Sequence, residues 1–144
     1  NTETYVCYAF KSIEGYSKFG SYTGNSNADG TFVYLGFKPA WVMIKYTGSF
    51  GGDQAYATWT MFDNKRSTYN VVSLGDMLSA NTSNAEGTRG GGGSGAGIDA
   101  IDMLSNGFKC RTSAYEIGQS GTYIYMAFAE NPFVSSTGIP VTAR

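Results

Sequence analysis

Thr122-Tyr123-Ile124-Tyr125-Met126-Ala127-Phe128 is an unbroken run of β-branched, aromatic and other apolar side chains, followed by the turn residues Glu130-Asn131-Pro132. Such a run, closed by turn chemistry, reads as a β-strand. Near the other end, Thr4-Tyr5-Val6-Cys7-Tyr8-Ala9-Phe10 repeats it almost position for position and is followed by its own acidic turn, Glu14-Gly15. A strand rewritten at nearly the full length of the chain suggests one unit of a tandem array, in which the closing strand of one unit leads into the next. Aromatic-rich strands can also resemble one another by composition alone, but agreement in residue type along the whole run favours the repeat. Arrays of β units build fibres, stalks and adhesins more often than enzymes.

Working outward from these runs, 144 residues suit a single domain with one core. With 20 Gly, 11 Tyr and 9 Phe the recipe is β-rich, the rings filling pleated half-buried surfaces and the glycines the turns. Residues 17–23 alternate, with Phe19 and Ser21 on one face and Lys18, Gly20 and Tyr22 on the other. Short strands follow at 31–35 and 40–47, the latter with Trp41 and Met43 opposite Val42 and Ile44, and another at 55–62. Residues 71–78 predict a short strand or a single helical turn. Two apolar runs, 98–104 and 108–112, flank Ser105-Asn106-Gly107, and Asn-Gly predicts a type I′ hairpin. Residues 80–97, rich in Ser, Asn, Thr and Gly, read as a long, exposed, mobile loop. No segment of ten or more residues has helical periodicity. The expected fold is all-β: an antiparallel β-sandwich or barrel-like fold of about eight or nine short strands. Residues 1–144 form one β domain, with 1–16 readable as the closing strand of a preceding unit and 131–144 as a C-terminal tail. Residues 5–10 carry aromatics on both faces and suit a central strand.

Composition also limits the chemistry. Charged residues make up 15% of the chain, with ten basic against eleven acidic. No field exists to attract a phosphate backbone, so nucleic acid is not an expected partner. No run reaches the roughly 18 apolar residues of a membrane span, and no signal-peptide pattern is visible. Histidine is absent, which removes Ser–His–Asp and Cys–His nucleophilic sites and imidazole metal ligands. The pairs Asp99 with Asp102, Asp53 with Asp63, and Glu14 with Asp29 show no spacing that would set two carboxyls across a sugar. The glycine run 90–95 satisfies a dinucleotide fingerprint trivially and lacks the strand before and helix after it. Asp63-Asn64-Lys65-Arg66 matches no calcium loop. The expectation is therefore no enzyme, no metal and no cofactor. Cys7 and Cys110 read as two buried thiols, with a disulfide left as the alternative.

Binding remains. Carbohydrate recognition uses flat aromatic faces flanked by Asp, Asn and Arg. Here Tyr56, Trp59, Tyr69 and Tyr115 lie near loop-rich segments, with Asp63, Asn64 and Arg66 close in sequence. Trp41, within an apolar run, reads as core; Trp59 reads as core or as a stacking platform. Tyrosine abundance suits a homotypic contact equally well. The candidate ligand-binding residues are Trp59, Asp63, Asn64, Arg66, Asn84 and Arg89.

One stretch is distinctive: Glu14-Gly15-Tyr16-Ser17-Lys18-Phe19-Gly20-Ser21-Tyr22-Thr23-Gly24-Asn25. With it go Gly36-Phe37-Lys38-Pro39-Ala40-Trp41-Val42-Met43-Ile44-Lys45, then Asp63-Asn64-Lys65-Arg66, Leu78-Ser79-Ala80-Asn81-Thr82-Ser83-Asn84-Ala85-Glu86, Leu104-Ser105-Asn106-Gly107-Phe108-Lys109 and the run from Thr122 to Phe133. Together they resemble a module repeated in tail-fibre and tail-associated proteins of marine bacteriophages. The likeness runs from about Tyr5 to the end; the glycine run within 87–97 is longer than that module leads one to expect. The closing Gly138-Ile139-Pro140-Val141-Thr142-Ala143-Arg144 is similar to the carboxyl terminus of such proteins, which would make this the last unit of a fibre. The resemblance implies a virion or extracellular location, with homo-oligomers (a trimer first) or other virion proteins as partners. It also implies adhesion to a host surface glycan as the function, against an alternative of a capsid-decorating or filament-forming subunit without a ligand.

Overall fold

The structure, a computed structural model, describes residues 4–49, 56–67, 71–134 and 140–141. The described residues are all-β apart from short 3₁₀ turns such as Leu74–Asp76. Its strands are β1 (Ser17–Gly24), β2 (Phe32–Tyr34), β3 (Pro39–Tyr46), β4 (Thr60–Asp63), β5 (Val71–Ser73), β6 (Leu78–Ser79), β7 (Asp99–Leu104), β8 (Gly107–Cys110), β9 (Gly121–Ala129), β10 (Phe133–Val134) and β11 (Pro140–Val141). A five-stranded antiparallel sheet runs β1-β9-β3-β4-β6, a four-stranded one runs β2-β8-β7-β5, and β10 pairs with β11. The expected sandwich-like fold is present.

Strand alternation decides which side chains meet between the sheets. The larger sheet contributes Tyr22, Val42, Ile44, Thr60, Phe62, Tyr123, Tyr125 and Ala127; the smaller contributes Val33, Val72, Ile101, Met103, Phe108 and Cys110, all buried. The Phe108 ring meets Tyr22 edge-on at 5.9 Å and Tyr125 at 5.7 Å, locking the two sheets face to face. Buried tyrosines must satisfy their hydroxyls. Tyr22 donates to the Ile117 carbonyl at 2.7 Å and Tyr123 to the Tyr115 carbonyl at 2.8 Å. Two core rings thereby hold the loop that leads into β9.

The outer face of the larger sheet also carries an apolar row, among polar positions such as Ser21, Lys45 and Thr122. Register aligns Phe19, Met126, Met43, Met61 and Leu78 in one row across all five strands. Trp41 lies beside Phe128 at 5.8 Å between ring centroids. Trp41 and Trp59 are therefore half-buried rather than core; strand parity turns Trp41, opposite Phe128, away from the inner face.

Other expectations need correction. Residues 5–10 do not form a strand: they run as coil, with Tyr5, Val6 and Tyr8 between 74% and 81% exposed. The central place their sequence suits is filled by β9, which holds the same pattern. Cys7 is consequently exposed, whereas Cys110 is buried, and both are free thiols. The β7–β8 hairpin has Ser105-Asn106 as its two-residue loop, since Leu104 pairs with Gly107. Neither loop residue has positive φ, so the turn is not type I′. Gly107 serves a different purpose: a Cβ there would collide with the Val33 carbonyl of the neighbouring β2. Residues 71–79 take both expected forms, strand and helical turn. Ser73 caps the turn, accepting from the Gly75 N–H at 2.9 Å. Residues 80–97, expected to be a shapeless loop, carry a bridge between Thr88 and Ser94 and backbone bonds from Gly87 to Met77 and Gly95 to Gly87. Gly87 permits this with φ +71° and no Cβ to strike Gly75. Asp53 and Tyr69 lie outside the described residues, as does most of the 131–144 tail.

Candidate functional site

At the end of β4 the chain bends around Asp63. One carboxylate oxygen accepts the N–H groups of Lys65 at 2.9 Å and Arg66 at 3.1 Å, an Asx-type turn. The other accepts Arg66 Nε at 2.6 Å, and Arg66 Nη1 continues to Glu86 at 2.7 Å. Partial burial works to raise the Asp63 pKa, but these donors outweigh it and hold the carboxyl below its ordinary value. Lys38 and Lys65 converge on Glu130, at 3.1 and 3.4 Å, just past β9. Asn64 donates its backbone N–H to Ala40, while its side-chain amide is shielded from solvent with no hydrogen-bond partner. Trp59 is held through its backbone, donating to Asn81 Oδ1 at 2.8 Å and accepting from Ala80. Asn84 is exposed, with its N–H on Thr82 Oγ1.

Arg89 belongs to a second cluster. Its guanidinium grips Glu116 with two parallel bonds of 2.8 and 2.9 Å, and the Glu116 side chain is fully buried. The fork geometry suits a carboxylate, and bonding to Glu116 raises the Arg89 pKa further. The guanidinium also lies 5.1 Å from the centre of the Tyr56 ring, which stacks on Tyr115 at 5.4 Å. The bent backbone of the glycine run, with Arg89 N–H on Gly93 and Gly92 N–H on Arg89, presents this side chain.

A family model described as a domain of unknown function (DUF7483) matches residues 1–132, and so covers both clusters and both sheets. The chain belongs to the DUF7483 family. No curated protein and no solved structure matches it.

Of the residues singled out in sequence, the DUF7483 domain brings Asp63 and Arg66 into direct contact and places Asn64 between them in the bend. Trp59 lies on the approach to the same strand, and Arg89 is engaged elsewhere. Sequence reasoning missed Glu86, Glu116 and Glu130, each of which completes an ion pair. Glu116 stands alone in Ser113-Ala114-Tyr115-Glu116-Ile117, with no periodic signal to mark it as buried. Among the described residues no group of three or more His, Cys, Asp or Glu side chains could hold a metal. Chemically, both clusters consist of carboxylates already neutralised by guanidinium or ammonium groups. They can orient loops and offer aromatic surface; neither holds an acid facing a free base.

Proposed function

We propose that this DUF7483 domain is a structural module of a bacteriophage virion, a tail-fibre unit that works by surface contact and not by turnover. The observation that carries the reading is the apolar row Phe19–Met126–Met43–Met61–Leu78 on the outer face of the larger sheet. An apolar stripe across a whole sheet face suits contact with other subunits, and methionine repacks readily against varied surfaces. The sequence resemblance to tail-fibre modules points the same way. The test is the oligomeric state at micromolar concentration by light scattering, for the wild-type chain and for Met126→Lys. A discrete oligomer, a trimer first, that Met126→Lys dissolves is expected. A monomeric wild-type chain would overturn the reading.

Adhesion to a host surface glycan is a second reading, favoured by the stacked Tyr56 and Tyr115 rings beside Arg89. A glycan array probed with the wild-type chain and with Tyr115→Ala tests it. Binding lost in that variant is expected, and an array with no signal from the wild type overturns it. Against it stands the pairing of Asp63, Arg66, Glu86, Arg89 and Glu116 among themselves, which leaves little polar valence for a sugar.

A further inference from the structure

We infer that Thr4–Phe10 is a donor strand, which closes the larger sheet of a preceding unit of the same fold by lying between that unit's β1 and β3. The inference deepens the proposed fibre role, since it supplies the joint between units. Three observations lead to it.

The first is sequence. Thr4–Phe10 differs from Thr122–Phe128 only where Val6, Cys7 and Tyr8 stand for Ile124, Tyr125 and Met126. Within the fold that pattern has a known receptor. β9 lies between β1 and β3, paired with β1 over Ser17–Gly24 and with β3 from Pro39 to Tyr46. The domain thus shows what a segment of this sequence binds. By this alignment Tyr5, Cys7 and Ala9 take the buried positions of Tyr123, Tyr125 and Ala127, and Val6, Tyr8 and Phe10 face outward. The family match, residues 1–132, includes both copies of the strand.

The second is exposure. An apolar, aromatic stretch of strand-forming residues open to solvent is a liability that folds normally cover. No ladder among the described residues of its own domain takes it. The outer edge of β1 is partly occupied, its Phe19 N–H donating to Ser12 Oγ at 3.2 Å. Among the described residues the remaining edge strands, β2, β5, β6, β10 and β11, are two or three residues long, too short to pair with seven residues.

The third is how the segment leaves the domain. Its last residue is anchored: Phe10 stacks on Phe19 at 5.7 Å and meets Phe128 edge-on at 6.3 Å, both on the outer sheet face. The turn that follows is pinned by Ile13 and Ser17 exchanging backbone bonds and by Ser17 Oγ donating to the Lys11 carbonyl at 2.9 Å. Phe10, which the alignment places on an outward face, already rests on the outward face of the next unit. The segment is therefore presented in a fixed direction, as a joint between consecutive sheets requires.

The test is a tandem chain in which residues 11–121 are joined directly to residues 4–144, so that Thr4–Phe10 must close the upstream unit. A control joins residues 11–128 to residues 11–144 and closes the upstream unit with the native β9 sequence. In the 144-residue chain the exposed Cys7 should react freely with a thiol reagent. In the tandem the upstream unit should fold, and Cys7 should react about 100-fold or more slowly, because a central-strand residue is reached only by sub-global opening. An unfolded upstream unit, or an unprotected Cys7, overturns the inference if the control folds. A control that fails as well overturns it too, since Phe10–Lys11 then cannot link consecutive units. Concentration-dependent protection of Cys7 in the 144-residue chain alone would also overturn it, by showing that the segments of two copies pair with each other. The tandem experiment is independent of Met126→Lys, so failure of the joint and failure of the oligomer reading are told apart.

Discussion

Replacing Arg89 by alanine isolates the most one-sided interaction in the molecule. The Glu116 side chain is fully buried and both its oxygens are used by Arg89, whereas the Arg89 side chain is 21% exposed. The two partners consequently have different fates when one is removed. Without Arg89 the carboxylate stays in the interior with its counter-charge gone, and breaking a buried pair in this way costs about 3–5 kcal/mol. Because the guanidinium sits at the rim, water entering the space it vacates recovers part of the loss, so the lower end, about 3 kcal/mol, is expected. Loss of the contact with the Tyr56 ring adds about 0.5 kcal/mol at such a partly exposed position. Glu116→Gln should cost only about 1–2 kcal/mol, since the guanidinium can turn to solvent and the amide retains one acceptor. The double variant should fall short of the sum by about 1 kcal/mol or more, the signature of a direct pair.

Urea unfolding of the four proteins, followed by tryptophan fluorescence, measures each term if the slopes with denaturant agree. In a domain of this size about 3 kcal/mol corresponds to a melting-temperature loss on the order of 10 °C. An Arg89→Ala variant within about 1 kcal/mol of wild type would refute the reasoning. It would mean that the fork is a surface contact and that Arg89 is free to serve a ligand.

Gly107→Ala should destabilise by about 1–3 kcal/mol through the collision with the Val33 carbonyl, while Asn106→Ala should stay within about 0.5 kcal/mol because its φ is ordinary; urea titrations of the two variants check the contrast. Asp63 and Glu130 have carboxyls held below their ordinary values, for both groups because donors overcome the opposing effect of burial. Their stabilisation is thus complete above the unfolded-state values and lost as pH falls through the lower folded values. The melting temperature should drop as pH goes below about 4, and Glu130→Gln should shrink that drop; an unchanged acid limb in the variant would count against it. Burial pushes the Cys110 thiol up to about 11, so alkylation of the native chain at pH 8 should modify Cys7 alone, with Cys110 reacting only after denaturant is added, as mass spectrometry would show.

Much of the fold was readable because its strands obey one simple periodicity. Alternation in 17–23 and 40–47 put Tyr22 opposite Phe19, and Val42 and Ile44 opposite Trp41 and Met43, and the two sets do lie on opposite faces; which face is the inner one was not readable, and Trp41, expected in the core, is on the outer face. The same pattern could not say that Trp41 faces a second apolar surface, since alternation separates two faces without revealing which is covered. Asn106-Gly107 misled for a related reason: the dipeptide is equally compatible with a turn that needs positive φ and with a glycine that admits a neighbouring carbonyl. The candidate site was legible only where its partners are local. Asp63 and Arg66, three residues apart, meet through a turn that the sequence announces. Arg89 and Glu116 meet across 27 positions, through a glycine hairpin and a loop fixed by tyrosine hydroxyls, and no spacing rule spans that.

The tyrosines also change how the surface should be read. Their abundance in sequence suited an interface, yet Tyr22, Tyr123 and Tyr125 form the centre of the core, and the first two spend their hydroxyls on the carbonyls of Ile117 and Tyr115. The inner face of the larger sheet is thereby specified by directional bonds, and its geometry is fixed. Its outer face carries Met43, Met61 and Met126 in one row, side chains whose flexible thioethers accept many shapes. A rigid inner face behind an adaptable outer one suits a building unit that must meet neighbours in more than one setting. Discrimination between ligands needs directional groups, and the row of methionines has none. On the proposed reading the sheet face would serve assembly, and any specificity toward a host molecule would be sought at the Tyr56–Tyr115 corner.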